Sequence, residues 1–237
     1  MKYTIYKNLY QLTAFSPIFP INAYIYEEDS YLTIIDVGIN GFVRHFEKIA
    51  NQLDKPIKFV ILTHPHADHV GGLDLLKKTF PEIRIVFSKR DSRLLNGDFS
   101  LDSDELQEEI KGGFKKILSK PDILVKDGEN IGSLSIIATP GHTPGSISLY
   151  DNKNKILISG DALQTKGGFA IAGDKQPLFP FPALATWNKR EALQSVKKLE
   201  NLQIDCLAPG HGKLLIKPHF KKAIERLERQ INEEKNK

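Results

Sequence analysis

Three of the chain's seven histidines lie within six residues, in the stretch THPHADHVGG that covers residues 63–72. His64, His66 and His69 surround one carboxylate, that of Asp68. The three rings do not suit a purely structural role in a core, because each buried ring nitrogen would need a hydrogen-bonding partner of its own. Imidazole and carboxylate groups are, in contrast, common ligands of zinc, iron and manganese. The spacing therefore predicts a metal-binding turn.

Each group of candidate ligands follows a short apolar segment of the chain. The histidine cluster comes directly after KFVILT, an apolar and β-branched run that is typical of a buried strand. His142 and His211 occupy equivalent places in ATPGHT and LAPGHG, and Asp161 follows the apolar run in ISGDA. Side chains from separate strands can converge at strand ends. The sequence therefore predicts one site that is assembled from several such ends.

The candidate ligands are too numerous for one tetrahedral ion. They are His64, His66, Asp68, His69, His142, Asp161 and His211. This set suits two divalent ions about 3.5–4 Å apart that share a water molecule. Structural zinc sites are usually closed and rich in cysteine, whereas this chain has one cysteine, so the pattern favours catalysis. Zinc is the first choice of metal, with iron and manganese as alternatives.

The order of these motifs resembles that of the metallo-β-lactamase superfamily. T-H-x-H-x-D-H-x-G-G is followed by P-G-H-T-P-G, S-G-D and P-G-H-G, and the similarity extends from the first strands to about His211. The resemblance implies an α/β fold, a four-layer αββα sandwich of two mixed sheets with helices outside. It also implies a first ion bound by His64, His66 and His142, a second bound by Asp68, His69 and His211, and Asp161 as the bridge.

Asp36, in IIDVG, matches a family aspartate that supports the site from outside the ligand set. The alternative for Asp36 is an ordinary turn residue at a strand end.

The branch of the family that the chain resembles most is the glyoxalase II-like or lactonase-like one. After His211 only one helix is expected, which leaves no glutathione-gripping domain. No tyrosine follows Tyr150, so the tyrosine typical of lactonases is missing. Asp161 argues against β-lactam hydrolysis, because the true β-lactamases usually lack this bridging carboxylate.

The expected activity is hydrolysis of a small ester, lactone or thioester by a metal-bridging hydroxide, with Asp68 accepting or relaying the proton. Two alternatives remain. The chain could be a phosphodiesterase or nuclease of the same fold, or a metal-binding sensor without turnover. The net charge of +4 comes from lysines scattered over predicted helix surfaces, which disfavours nucleic acid as a partner.

The pattern of apolar residues predicts a single domain over residues 1–237. The predicted strands include 58–63, 83–88, 134–139, 146–151, 155–160 and the segment IDCLAP, besides antiparallel strands within the first forty residues. The predicted helices cover 41–53, 73–79 and 89–120, with two more from near Trp187 and from about Pro218. The helix over 89–120 depends on Leu106, Ile110, Phe114 and Ile117, although Gly112 and Gly113 weaken it.

The segment 164–186 is long, apolar and rich in proline and glycine. It is interpreted either as a pocket wall or lid for a small substrate with an apolar part, or as a loop packed on its own core or in a homodimer contact. No run is long enough to span a membrane. The single cysteine, Cys206, is expected in the core, and one cysteine cannot form an intramolecular disulfide, so the sequence favours the reducing cytoplasm. His45 and His219 are expected to be surface residues on helices.

Overall fold

The computed structural model describes residues 3–235, which form two compact units. The first unit extends to Asp98 and also contains Gly113–Val125, and the second contains Phe99–Gly112 and the chain from Lys126 onward. Each unit has a mixed β-sheet, helices and an apolar core, so the predicted mixed α/β class is confirmed. The assignment of residues 1–237 to a single domain stays a prediction.

The first unit is built on a seven-stranded sheet whose strands follow the order of the sequence. The strands are β1 (Tyr3–Tyr6), β2 (Leu9–Ala14), β3 (Ile21–Glu27), β4 (Leu32–Ile35), β5 (Ile57–Ile61), β6 (Arg84–Ser88) and β7 (Ile123–Val125). Strands β1 to β4 are antiparallel neighbours, and β4 to β7 are parallel. Parallel neighbours carry their carboxyl ends at the same edge, which is where the chain continues into Asp36 and the histidine cluster.

Helices pack against this sheet. They are α1 (Val43–Leu53), α2 (Ala67–Val70), α3 (Leu73–Thr79) and α4 (Ser92–Leu95). The apolar residues of α1 recur at helical spacing, so that Phe46 and Ile49 are buried in one cluster with Ile34 and Val60 of the sheet.

The second unit contains a six-stranded sheet in the order β15-β14-β11-β10-β9-β8, and a separate pair of β12 and β13. These strands are β8 (Asn130–Ile131), β9 (Leu134–Ala138), β10 (Ile147–Asp151), β11 (Ile156–Gly160), β12 (Leu163–Gln164), β13 (Ala170–Ile171), β14 (Cys206–Pro209) and β15 (Leu215–Ile216). Among these described strands, β11 and β14 are the one parallel pair, and a register shift at the end of β11 falls next to Asp161. Asp161 and His211 therefore follow the same ends of two neighbouring strands.

The helices of the second unit are α5 (Phe181–Leu184), α6 (Lys189–Leu199) and α7 (Lys221–Lys235). Val196 of α6 and Leu227 of α7 are buried in one cluster with Leu157 and Leu207 of the sheet. The side chain of Asn188 caps α6 by accepting hydrogen bonds from two backbone N–H groups of its first turn.

The helix predicted over 89–120 is wrong. Only Ser92–Leu95 is helical there, and the segment divides between the two units at Gly112, whose φ of 113° is incompatible with a helix. Its apolar residues do not share a buried face, because Ile117 enters the core of the first unit while Leu106 is 39% exposed. The helical spacing of these residues was thus coincidental.

Most of the other predicted elements are present within two or three residues of their expected bounds, and Cys206 is buried as expected. His219 is exposed but precedes α7 instead of lying on it, and His45 lies half-buried on α1. The short strands β7, β8, β12, β13 and β15 were not predicted. Among the described residues, no helix has the length and apolar character needed to cross a membrane.

Candidate metal centre

In the first unit, the histidine cluster forms a tight turn after β5. His66 has an extended backbone and forms the amino-terminal cap of α2, which carries Asp68 and His69. The rings of His64 and His66 are 4.8 Å apart and those of His64 and His69 are 4.0 Å apart, measured between centroids. All three rings are at most 3% exposed, whereas the side chain of Asp68 is 27% exposed. The predicted ligands of this unit are thus brought together.

Asp36 lies behind this turn, at the end of β4. Its Oδ1 accepts a hydrogen bond from the backbone N–H of Thr63 at 2.8 Å, and its Oδ2 accepts from the Thr63 hydroxyl at 2.8 Å and from Nδ1 of His69 at 2.7 Å. Asp36 also has a φ of 56°, so it is a turn residue as well. A carboxylate that holds a ligand histidine by its second nitrogen is a common feature of metal sites.

These bonds fix which ring nitrogen carries the proton in His64 and in His69. The Thr63 hydroxyl has one proton, which goes to the Asp36 carboxylate because a carboxylate can only accept. The same hydroxyl oxygen must therefore accept from Nδ1 of His64, which lies 3.1 Å away. In both His64 and His69 the lone pair is then on Nε2. Nε2 of His69 lies 3.8 Å from Oδ2 of Asp68. An imidazole lone pair that faces a carboxylate oxygen suits a cation between them.

In the second unit, three turns bring His142, Asp161 and His211 together. Oδ2 of Asp161 lies 3.4 Å from Nε2 of His142 and 3.1 Å from Nε2 of His211. All three side chains are at most 5% exposed. Gly141, before His142, has a φ of 140°, and a Cβ there would lie 2.4 Å from the Cα of Ala192. The Pro-Gly-His turn therefore needs its glycine to pack against α6.

Two residues of the segment 164–186 contact the histidines of this unit. The Thr186 hydroxyl is 3.1 Å from Nδ1 of His142, and the Phe179 ring is 5.3 Å from the His211 ring. Sequence analysis had singled out the segment for its apolar character, but it missed the role of Thr186. Only the tertiary structure reveals this contact, because Thr186 is 44 residues away from His142 in the chain.

Phe114 is another residue whose role the sequence did not reveal. Its ring contacts that of His66 edge-on, with 5.0 Å between centroids. The carbonyl of Gly113 accepts from the N–H of Ala67 at 2.8 Å, and Nζ of Lys115 donates to the carbonyl of Gly71 at 2.8 Å. This part of the supposed helix instead runs along the histidine turn. The Gly112-Gly113 pair was the one signal in the sequence that a helix would end there.

The donor groups of both units fit divalent metal ions. Each unit supplies buried imidazole nitrogens beside a carboxylate, and the one cysteine of the chain is buried in β14. Nδ1 of His64, His69 and His142 is hydrogen-bonded to a hydroxyl or a carboxylate oxygen. Such contacts orient the ring of a ligand histidine and set its tautomer.

Comparison with known proteins identifies the family. The sequence model described as "Metallo-beta-lactamase superfamily" matches residues 17–211. The chain belongs to the metallo-β-lactamase superfamily. The metal-dependent hydrolase predicted from the sequence is thereby confirmed at the level of the family, while the glyoxalase II-like or lactonase-like branch stays a prediction.

Individual known proteins are similar over most of the chain. The protein YobT of Bacillus subtilis is 50% identical over 92% of this chain and 94% of its own length. A Methanocaldococcus jannaschii protein, named "Probable metallo-hydrolase MJ0888", is 32% identical over 83% of this chain and 93% of its own. The solved structure of a metallo-β-lactamase from Pontibacter korlensis superposes with a TM-score of 0.73 at 17% identity, covering 97% of this chain and 99% of that one. The metallo-β-lactamase fold is thus confirmed.

Proposed function

We propose that the chain is a dinuclear metal-dependent hydrolase that cleaves a small carboxylic ester, lactone or thioester. The observation that carries the proposal is the position of Asp161, whose Oδ2 lies within 3.4 Å of Nε2 of both His142 and His211. One carboxylate oxygen beside two ligand histidines is the arrangement expected of a bridge between two ions.

The ligand order of the family assigns every candidate to an ion. In this proposal His64, His66 and His142 would hold the first ion, Asp68, His69 and His211 would hold the second, and both ions would share Asp161. The absence of a thiolate among these ligands makes zinc the first choice, with iron or manganese as alternatives. When bound, two such ions lower the pKa of a shared water to about 7 and polarise the carbonyl group of the substrate.

Asp68 is the residue to which we assign proton transfer. Its carboxylate is the more exposed of the two in the ligand set, with 27% of the side chain accessible against 4% for Asp161. An accessible carboxylate can accept a proton from the attacking water and deliver it to the leaving group. Asp161 is buried too deeply for that exchange.

The segment 164–186 supports a substrate with an apolar part. Leu178, Phe181 and Leu184 are 81%, 49% and 66% exposed, which is unusual for three apolar side chains so close in sequence. The Phe179 ring lies 5.3 Å from the rings of both His211 and Phe181, so an aromatic contact connects a ligand histidine to this apolar surface.

This segment is held in place by hydrogen bonds, which favours a pocket wall over a mobile lid. Nε2 of Gln164 donates to the carbonyl of Phe179 at 3.2 Å. Arg226 of α7 donates to the carbonyl of Phe169 at 2.8 Å and forms an ion pair with the buried Asp174. The wall would accept an aliphatic acyl chain by burial of apolar surface.

The test is turnover by the metal-loaded protein of a medium-chain homoserine lactone, S-lactoylglutathione and bis-p-nitrophenyl phosphate. We expect hydrolysis of the lactone or the thioester, and a loss of at least about 100-fold in the Asp68→Asn variant, the scale typical of general acid–base catalysis. Asp98→Asn is the matched control, because Asp98 is an exposed carboxylate that binds Arg93. Turnover of the phosphodiester alone would overturn the proposal in favour of a nuclease, and two bound ions without any turnover would favour a sensor.

A further inference from the structure

We infer that Thr186 is a positioning residue whose hydroxyl group fixes His142 in the tautomer that can bind a metal ion. The inference concerns the protonation of one ring and can be tested in the metal-free protein. The importance of this tautomer for catalysis rests on the function proposed above.

The argument begins with the single proton of the Thr186 hydroxyl. Oγ1 of Thr186 lies 2.6 Å from the backbone carbonyl oxygen of Pro182. A carbonyl can only accept, so the hydroxyl donates its proton there. The same Oγ1 lies 3.1 Å from Nδ1 of His142. Since the hydroxyl proton is already used, Nδ1 of His142 must be the donor in this second bond.

This assignment decides what the other ring nitrogen can do. With the proton on Nδ1, the lone pair of His142 is on Nε2, which lies 3.4 Å from Oδ2 of Asp161. In the opposite tautomer Nε2 would donate its proton to the Asp161 carboxylate and could not coordinate an ion. Asp161 thus favours the tautomer that cannot bind metal when no cation is present, and Thr186 opposes this preference.

Thr186 is held in position by backbone contacts of the two residues that follow it. The N–H groups of Trp187 and Asn188 donate to the carbonyls of His142 and Gly141 at 3.0 and 2.8 Å. Nε1 of Trp187 in turn donates to the carbonyl of Glu108 at 2.9 Å. The Thr186 side chain is 4% exposed, so water has little access to replace its hydroxyl group. The hydroxyl oxygen is therefore a fixed acceptor for the His142 ring.

The first measurement is the tautomer of His142, from the ¹⁵N chemical shifts of histidine-labelled, metal-free protein at a pH at which the ring is neutral. Wild type should show the proton on Nδ1. Thr186→Val keeps the shape of the side chain but removes the acceptor, so the proton should move to Nε2. Thr186→Ser restores the hydroxyl and should restore the wild-type signature.

The second measurement is zinc affinity, by competition with a chromogenic chelator. Thr186→Val should weaken zinc binding by about 10–100-fold, the usual effect of losing a partner of a ligand histidine, and Thr186→Ser by much less. Thr139→Val is the matched control, because Thr139 is also buried in this unit but its hydroxyl contacts Ser148. It should leave both the tautomer and the affinity unchanged.

The inference would be overturned by a wild-type ring that carries its proton on Nε2, or by a Thr186→Val variant with unchanged tautomer and zinc affinity. Either result is independent of whether any substrate is hydrolysed. A protein that shows the expected tautomers but binds no metal ion would instead refute the proposed function and leave the role of Thr186 in setting the tautomer intact.

Discussion

The two units hold their candidate ligand histidines in different ways. In the first unit a carboxylate orients the rings. Asp36 accepts a hydrogen bond from Nδ1 of His69 and another from the Thr63 hydroxyl, which contacts His64. In the second unit a neutral hydroxyl orients the ring of His142. It belongs to Thr186, which donates its own proton to a backbone carbonyl. One arrangement depends on a charge and the other on the path of a loop.

This difference has an energetic consequence. A hydrogen bond to a charged group contributes about 1.5–3 kcal/mol to stability, against about 0.5–1.5 kcal/mol for a bond between neutral groups. The histidine turn of the first unit should therefore be the more rigid of the two. The second set should depend more on the segment 164–186, which also carries the exposed apolar side chains.

The largest expected effect is that of Asp36→Asn. Asparagine tolerates the left-handed backbone at this position, but its NH₂ group must face either the Thr63 hydroxyl and Nδ1 of His69 or the backbone N–H of Thr63. Because donors then face donors in a buried place, we expect a loss of about 3 kcal/mol in the free energy of unfolding. Denaturant titration of the metal-free protein measures it, and a loss below 1 kcal/mol would remove the contrast between the units.

Next in size is Arg226→Gln, which leaves the fully buried Asp174 without its cation. Because the Arg226 side chain is 33% exposed, we expect about 2 kcal/mol, below the range for fully buried pairs. The loss of the ion pair should also loosen the segment 164–186 and raise KM for an apolar substrate, with metal content unchanged. A rise in KM without any loss of stability would contradict a wall that is held by α7.

A smaller loss, about 1 kcal/mol, is expected for Thr63→Val, which removes the hydroxyl between Asp36 and His64. Thr33→Val is its matched control in the same unit. Thr33 is also buried, and within residues 3–235 its hydroxyl oxygen has no hydrogen-bonding partner, so this change should cost nothing. Thermal unfolding measures the loss of stability in both variants. Equal losses would show that the hydrogen bonds of the Thr63 hydroxyl make no specific contribution to stability.

The smallest effect concerns an ion pair remote from the histidines. The Lys55 ammonium group, which donates to Glu27 at 2.7 Å, lowers the pKa of that carboxyl below its ordinary value of 4.5. A lowered folded-state pKa means that the contribution of Glu27 is complete above about pH 4.5 and is lost as the pH falls through the folded-state value. Glu27→Gln should cost less than about 1 kcal/mol at pH 7, because both side chains are partly exposed. If the difference between wild type and variant grew on acidification, this assignment would be wrong.

The sequence was informative wherever structure and chemistry are set by neighbouring residues. The strands that precede His64, His142, Asp161 and His211 were predictable because each is a short apolar run that ends at a turn. The alternating and helical patterns of the two cores were readable for the same reason. The candidate ligand residues stood out because their types and spacing are unusual in a chain with seven histidines.

Tertiary contacts were not readable in this way. Phe114 was assigned to a helix because its neighbours have helical spacing, whereas the structure places its ring against His66. Thr186 carries no signal in its own sequence neighbourhood, since its role depends on two partners, Pro182 and His142, of which the second is 44 residues away. Side chains that orient ligands are common residue types, and only their position distinguishes them.

The most direct test of the central claim is the zinc stoichiometry of wild type, His64→Ala, His142→Ala and the double variant. In the proposed function His64 and His142 are both assigned to the first ion, and neither is assigned to the second. We therefore predict two tightly bound ions in wild type, one in each single variant, and still one in the double variant. The account would be contradicted by a wild-type protein that binds fewer than two ions, or by a double variant that binds none.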